Sequence, residues 1–570
     1  MLRLKTSLKK LVVPVLVFTG ILSFSFREDL FQASKNLEIF SSLYKELNIS
    51  YVDEVNSSQL METGIEAMLA SLDPYTEFVP ESEIEDYKMK YVSTQYGGIG
   101  TLTHTREGRT IISETLEGFP AQKADIRAGD EVLEINGISI KGKPYDQVST
   151  LLKGPKSTPL KLTLKRYGET ITKSLNRDEI TQPNVSYSAM MNNNIGYIKL
   201  DKFLENSARE VQDALVNLQK NNPSGIILDL RSNGGGILQE AVKIVNLFVD
   251  PNVTVVTQKG KNREKTIPYK TQNQPLAPNT PLVVLINNRA ASASEIVAGS
   301  LQDLDRAVII GQRSYGKGLV QQTFNLPYNS LVKVTVAKYY TPSGRCIQAL
   351  DYTHRTADGT VEKVADSLIT EYKTKGNRSV YDGSGIYPDI AVPAVKLSPI
   401  SQTLLSRFLI FDYATLYRKQ KASIANPKTF KLSDAEYAEF VNYLSDKDYN
   451  YSTRTEKLLN DLKAEAEKEK KMTEIKSEFE SLKNKVSVSK KNDLTQFKEE
   501  IRRLLENEII SRYYFQKGRL ENAFIYDEDL KSAYNVLGNK TTLSAILQGS
   551  GSYKSIGKPG GGFSANADIK

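Results

Sequence analysis

Ser292 and Lys317 stand in settings that suit covalent chemistry. Ser292 follows a short apolar run, Leu282 to Ile286, and a turn of small and polar residues, Asn287 to Ala291. From Ser292 onward the spacing turns helical, with Ile296, Val297 and Leu301 on one face. Strand, turn and helix together put Ser292 at a helix N-terminus, where unsatisfied N–H groups and the helix dipole favour negative charge. A nucleophile whose substrate passes through an oxyanion is well placed there. Its hydroxyl still needs a base to take the proton. The chain has two histidines. His104 lies far upstream in what reads as a separate binding module, and His354 sits in a polar loop, Tyr352 to Arg355. The other candidate is a lysine made neutral by burial. Lys317 follows a second apolar run, Ala307 to Ile310, and is flanked by Gly316 and Gly318, which let the backbone turn tightly. Either residue alone reads as a helix cap or a solvated loop lysine. At a separation of 317 − 292 = 25 residues, enough for a helix, a strand and a turn back, they read as nucleophile and base.

The elements that must hold such a pair can be read from the flanking pattern. Asn194 to Leu200 and Gly225 to Leu230 are strand-like, and Ser207 to Gln219 between them is an amphipathic helix with Val211, Leu215 and Leu218 on one face. A glycine-rich turn, Arg231-Ser232-Asn233-Gly234-Gly235-Gly236, follows the second strand. It is not a nucleotide loop, because neither G-x-G-x-x-G nor GK[ST] is present. Further upstream, Tyr96-Gly97-Gly98-Ile99-Gly100 opens a set of short strands: Ile99 to Thr103, Thr110 to Glu114, Glu131 to Ile135 and Lys161 to Lys165. A helix signal, Tyr145 to Leu152, precedes the last of them.

The segment ASASEIVAGSLQDLDRAVIIGQRSYGKGLVQ resembles the signature of the C-terminal processing peptidases, or tail-specific proteases, which are serine endopeptidases with a Ser-Lys dyad. The resemblance implies Ser292 as nucleophile, Lys317 as general base and Gln321 as the polar residue that orients the lysine. Ala290 stands where the family pattern often has serine. LDLRSNGGG, Leu228 to Gly236, resembles the family's LDLRxNPGG, with Gly234 in place of proline. It implies an oxyanion hole made by the amides of Gly235 and Ala293. LDPYTEFV, Leu72 to Val79, resembles the family's LDPHS segment, with Tyr75 in place of histidine. PAQKADIRAGDEVLEINGISI, Pro120 to Ile140, resembles the core of a PDZ domain, which captures a terminal carboxylate on backbone amides and adds the peptide as a strand. That implies a carboxylate-binding loop at Gly97, Gly98, Ile99 and Gly100.

The fold class implied is a mixed α/β (α+β) multidomain chain: a crotonase/ClpP-like peptidase core with an inserted PDZ domain and helical N- and C-terminal regions. Expected boundaries are a signal peptide or membrane anchor over 1–27, an N-terminal helical region over 30–92 serving as scaffold or dimer contact, the PDZ domain over 93–178, the peptidase core over 179–395, a C-terminal helical domain over 396–548 and a flexible tail over 549–570. The polar run 351–382 is expected to be a loop or short helical insert, and Glu456–Lys485 and Asn492–Tyr514 to be Lys/Glu-rich helices packing on the core or shielding a tunnel.

At 570 residues several domains are required. A hydrophobic content of 40% and a charged content of 25% are those of a globular protein. The formal charge of +8 is spread among glutamates, which argues against a nucleic-acid stripe. A single cysteine, Cys346, excludes an internal disulfide framework and any cysteine-based zinc site. Arg3, Lys5, Lys9 and Lys10 precede the apolar run Leu11 to Phe26, the order of an export signal that sends the rest of the chain outward, so a periplasmic location is expected. No cofactor and no metal are called for. Expected partners are protein substrates with unstructured C-terminal tails, the membrane through the N-terminus, and a second copy of the chain. The competing reading is a non-catalytic PDZ adaptor that holds exported proteins by their tails; a third is a hydrolase of small esters.

Overall fold

The computed structural model describes residues 31–93, 95–261, 266–356, 359–551 and 553. The expected signal peptide or membrane anchor over 1–27 and most of the expected tail over 549–570 lie outside the described residues. No helix among the described residues is long and apolar enough to cross a membrane. The chain divides into two units: one holds the described residues up to Ile84 with Gln321–Thr335, the other Glu85–Val320 and the residues from Val336 on.

In the smaller unit, residues 31–50 are helical and are followed by α1 (Ser57–Ala70). The Asn56 side chain starts α1 by accepting the Gln59 N–H at 3.1 Å, a regular N-cap. The LDPYT turn closes on Asp73, whose carboxylate accepts the N–H groups of Tyr75 and Thr76. Strand β1 (Glu77–Val79) then pairs antiparallel with residues 331–333.

The larger unit begins with a β domain. Its strands are β2 (Gln95–Gly98), β3 (Thr101–Arg106), β4 (Arg109–Thr115), β5 (Glu131–Ile135), β6 (Pro159–Arg166), β7 (Glu169–Asn176) and β8 (Asp178–Thr181). Strands β3 to β7 pair antiparallel in that order, and β2 pairs with β8. Helix α2 (Tyr145–Leu152) turns Val148 and Leu152 onto the alternating inward residues Leu160, Leu162 and Leu164 of β6.

The second domain is a six-stranded sheet in the order β9 (Val185–Met191), β10 (Ile195–Leu200), β11 (Gly225–Asp229), β12 (Leu282–Ile286), β13 (Val308–Gly311) and β14 (Ile390–Ala391), parallel except between the first two strands. Helices α3 (Ser207–Gln219), α4 (Leu238–Asn246) and α5 (Ala293–Asp303) make the crossovers. LVVLI in β12 is apolar without alternation because both faces of the strand are covered. Leu282, Val284 and Ile286 pack with Val211, Ile244 and Val297 of the helices. Val283 and Leu285 face the other way, onto Leu530, Ala533 and Val536.

Those last residues belong to α6 (Glu528–Gly538). The C-terminal helical region therefore supplies the cover for the second face of the six-stranded sheet. Its own core joins Tyr413, Phe440, Ile501, Leu505 and Ile509. The long charged stretch forms Arg454–Lys468 and Met472–Lys491, separated at Lys470, whose φ of 58° is left-handed and stops a helix. The later stretch forms Asp493–Gln496 and then Lys498–Ala523. The run 351–382 corrects an expectation. Apart from one short 3-10 turn, Asp366–Leu368, its structure is two antiparallel pairs, Leu350–Arg355 with Val361–Lys363 and Glu371–Lys373 with Ser379–Tyr381. β-favouring Tyr352, Thr353, Val361, Tyr372 and Val380 prevail over the polar residues among them.

Candidate active site

The C-terminal ends of β11 and β12 bring two loops together, the usual place for a site on a parallel sheet. Residues 230–237 follow β11, and 287–292 follow β12. Asn287 joins them: its side-chain oxygen accepts the Ser232 N–H at 2.8 Å, and its amide donates to Ser232 Oγ at 3.0 Å. Fully buried Asn233 makes a second link, its carbonyl accepting the Ala291 N–H and the Ser294 hydroxyl at 3.0 and 2.9 Å.

Ser292 sits at the start of α5 with φ 54° and ψ −113°. Serine rarely adopts such a backbone, and strain of this kind concentrates at reactive positions. Every residue of α5 is buried, which its small residues Ala293, Ser294, Ala298, Gly299 and Ser300 permit. At the far end of the helix, buried Arg345 donates to Asp303 and Gln302, both at 2.8 Å.

Lys317 is half-buried between two glycines that no larger residue could replace without movement. A Cβ on Gly316, at φ 89°, would lie 2.4 Å from Ala349 Cβ, and one on Gly318 would lie 2.8 Å from the Gln348 nitrogen. Glu295, one turn into α5, joins the lysine loop to the serine. Oε2 accepts the N–H groups of both Ser292 (2.8 Å) and Lys317 (2.9 Å). Oε1 accepts the Gly316 N–H at 2.6 Å and the Ser314 hydroxyl at 2.5 Å. Burial pushes this carboxyl above its ordinary range, and the four donors pull against that rise. On the carbonyl side, the buried Tyr339 hydroxyl reaches the oxygens of Lys317 at 2.7 Å and Ser292 at 3.2 Å. The serine and lysine backbones are thus tied twice.

The other expected residues divide. Gly235 lies against Ser292, where a Cβ would be 2.7 Å from Ser292 Cβ and 2.8 Å from the Ala293 nitrogen. Its N–H donates to Asn233 Oδ1 at 2.9 Å. Gly234 meets no atom within 4 Å, so a larger residue would have room there. Gln321 belongs to the smaller unit, where its amide donates to Thr335 Oγ1 at 3.1 Å. His354 is an exposed strand residue bonded to Asp351, and His104 stacks on Phe408 with ring centroids 4.4 Å apart. In the β domain, Gly98, Ile99 and Gly100 line a groove of about 430 Å³ together with Tyr145, Ser149 and Leu152 on α2. Gly97 stands outside that wall, paired in β2, where a Cβ would lie 2.1 Å from the Gly154 carbonyl oxygen.

Residues 194–356 match peptidase family S41, residues 111–166 match the PDZ domain, and residues 400–537 match the C-terminal helical domain of probable PDZ-proteases. The chain is 33% identical over 365 residues to the carboxy-terminal processing protease CtpA of Bacillus subtilis, covering 60% of this chain and 77% of that one. It is 34% identical over 343 residues to a probable CtpA-like serine protease of Staphylococcus epidermidis, covering 60% and 69%. A solved photosystem II D1 C-terminal processing protease is similar at 28% identity and TM-score 0.33, over 62% of this chain and 92% of that one.

The chain belongs to the carboxy-terminal processing proteases of peptidase family S41. It is a serine-type peptidase with a PDZ domain, an α/β peptidase core and a helical C-terminal region. In this protease, sequence reasoning missed Glu295 and Tyr339. The signal for Glu295 was present as S-x-x-E at the head of a helix, the pattern of a capping box. Tyr339 has no local signal, because its partners are 22 and 47 residues away. The charged anchor of the glycine loop was also missed. Asp229, wholly buried, is held well below the usual carboxylate range by Arg231 and Lys199 against the cost of burial. Among the described residues no group of three or more His, Cys, Asp or Glu could hold a metal.

Proposed function

We propose that this protease is exported and cleaves proteins near unstructured C-terminal tails through a Ser292–Lys317 dyad. The observation that carries the reading is the double tie between the two backbones, by the Glu295 carboxylate on one side and the Tyr339 hydroxyl on the other. A tail enters the groove beside α2, its carboxylate on the backbone amides around Gly98, Ile99 and Gly100 and its strand along the groove. Ser292 Oγ attacks the scissile carbonyl carbon while the neutral Lys317 amine takes the hydroxyl proton. The tetrahedral oxyanion is held by the amides of Ala293 and Gly235, the latter leaving Asn233 Oδ1 to do so. Collapse expels the amine with the proton from Lys317. Water then attacks the acyl-enzyme, with Lys317 as base again, and releases the acid.

The N-terminal basic and apolar run supports delivery to the periplasm, as a cleaved signal or as an anchor in the inner membrane. Exposed Leu37, Phe40, Leu43 and Met68 in the N-terminal helices support a homodimer contact there. The test incubates wild type, Ser292→Ala and Lys317→Ala with an unfolded protein bearing an apolar C-terminal tail, and reads product masses. Trimming by wild type alone, from three equally folded proteins, is expected. Wild-type turnover by Lys317→Ala would remove the dyad. Tail binding without cleavage by wild type would leave a PDZ adaptor.

A further inference from the structure

The loop that carries Gly235 is tied through Ser232 and Asn233 to Asn287, Ala291, Ser294 and Leu200, but its backbone is intrinsically loose. Three consecutive glycines follow Asn233, and Ser232 has a φ of 62° that serine seldom adopts. Its other end begins at Arg231, and there the anchoring is dense. The guanidinium donates to the Asp229 carboxylate through Nε (3.0 and 3.1 Å) and Nη2 (2.6 Å). Nη1 donates to Asp527 at 2.9 Å and to Asp529 at 2.8 Å. Lys199 Nζ donates to the Arg231 carbonyl at 2.7 Å, and the Tyr197 hydroxyl donates to Asp229 at 2.6 Å. Arg231 is the point from which the loop departs toward Asn287, Asn233 and Ser292.

Two of the three carboxylates around Arg231 come from the helical domain, nearly 300 residues away in sequence. They sit at the head of α6, which is fixed by burial of Leu530, Ala533, Val536 and Leu537 against the sheet. A guanidinium forked between opposed carboxylates has few rotamers left, and charge-assisted bonds of this kind are about twice as strong as neutral ones.

We propose that Asp527 and Asp529 are positioning residues for peptide-bond hydrolysis: acting through Arg231, they fix the loop that presents the Gly235 amide beside Ser292. The inference rests on the Ser292 reading above. The helical domain then sets the rate of the chemical step without touching substrate.

The test uses the full-length enzyme with Asp527→Asn and Asp529→Ala, singly and together. Asparagine at 527 keeps the acceptor for the Leu530 N–H that starts α6. Three quantities are read: kcat and KM on a tail-bearing substrate, affinity for a peptide boronic acid that forms a tetrahedral adduct on Ser292, and affinity for an uncleavable tail peptide. Loss of one oxyanion donor costs about 10²–10³ in kcat, so a displaced donor in the double variant is expected to lower kcat about 10- to 100-fold. Boronate affinity should fall in proportion, with KM and tail affinity within about twofold. A domain-bolting role alone would lower the melting temperature and leave kcat per folded molecule and boronate affinity unchanged, and that result overturns the proposal. If the double variant does not melt cooperatively, the single Asp529→Ala variant decides by the same readouts. A wild type that neither cleaves nor binds boronate instead brings down the Ser292 reading on which the inference stands.

Discussion

Glu295 gives the sharpest test of how the site is assembled. Each of its oxygens accepts two donors, Oε1 from Ser314 and Gly316 and Oε2 from Ser292 and Lys317. In Glu295→Gln, one oxygen becomes an NH2 group facing two donors. The cheaper orientation puts it where Oε1 was, because the Ser314 hydroxyl can rotate and accept. The Gly316 N–H then loses its acceptor, at about 1–3 kcal/mol for a buried donor. The opposite orientation strips both Ser292 and Lys317 and costs about twice that. Even in the cheaper orientation, the remaining bonds to Ser292 and Lys317 go to a neutral oxygen, with about half their former strength. A misplacement approaching 1 Å between reacting groups can cost about 10²-fold in rate. The expected result is a stability loss of about 1–3 kcal/mol by urea unfolding, with kcat down at least tenfold and KM little changed. Unfolding is measured in a Ser292→Ala background, so that self-cleavage does not distort it. A Gln variant destabilised by this amount but retaining wild-type kcat would refute the reasoning, since the carboxylate would then serve the fold and not the alignment of the pair.

Two further outcomes are expected. His104 packs on Phe408 and edge-on to Phe411, and its pKa is lowered by burial, with Arg106 and Arg512 adding to the fall and Asp412 opposing it. The folded state therefore favours the neutral ring. Stability from this contact is present above the unfolded value of about 6.5 and is lost as pH falls through it. Wild type should lose melting temperature more steeply than His104→Phe between about pH 7.5 and 5.5, and parallel curves would dismiss the contact as a pH-sensitive one. Gly316→Ala puts a methyl 2.4 Å from Ala349 Cβ at a φ of 89°, strain of about 1–3 kcal/mol beside Lys317. Its kcat should drop with tail-peptide binding unchanged, and a variant as fast as wild type would show the glycine to be dispensable.

Ser292 and Lys317 could be singled out as candidates because each lies in a short stretch whose pattern is local: apolar run, small-residue turn, helix for Ser292, and paired glycines for Lys317. The central strands were legible for the same reason, since LVVLI and GIILD are short apolar runs bounded by turn residues. The insert over 351–382 was misread because its strands are only three to six residues long, too short for periodicity to outweigh the polar residues between them. Gly235 could be placed beside Ser292 by motif, yet no local rule says that Asn233, two residues earlier, takes its N–H.

What the sequence hides most completely is the role of the helical domain, and the reason lies in the arithmetic of faces. Tyr197, Ile227, Val283, Leu285, Val308 and Ile310 are wholly buried on the sheet face away from α3, α4 and α5. Burying one such side chain contributes about 1.5–3 kcal/mol, so an uncovered face would forfeit an amount comparable to a domain's whole stability. A parallel sheet read alone demands two covers, and the crossovers here supply one. The second cover has to come from elsewhere in the chain, and it comes from the helices beyond residue 396. An amphipathic segment such as Leu530, Ala533 and Val536, spaced for one helical face, was therefore the visible half of a pairing whose other half is the odd-numbered side of β12. The same docking that closes the sheet brings Asp527 and Asp529 to Arg231. Stability and alignment of the site thus come from one contact, and a substitution that loosens the cover should disturb the glycine loop before it unfolds the core.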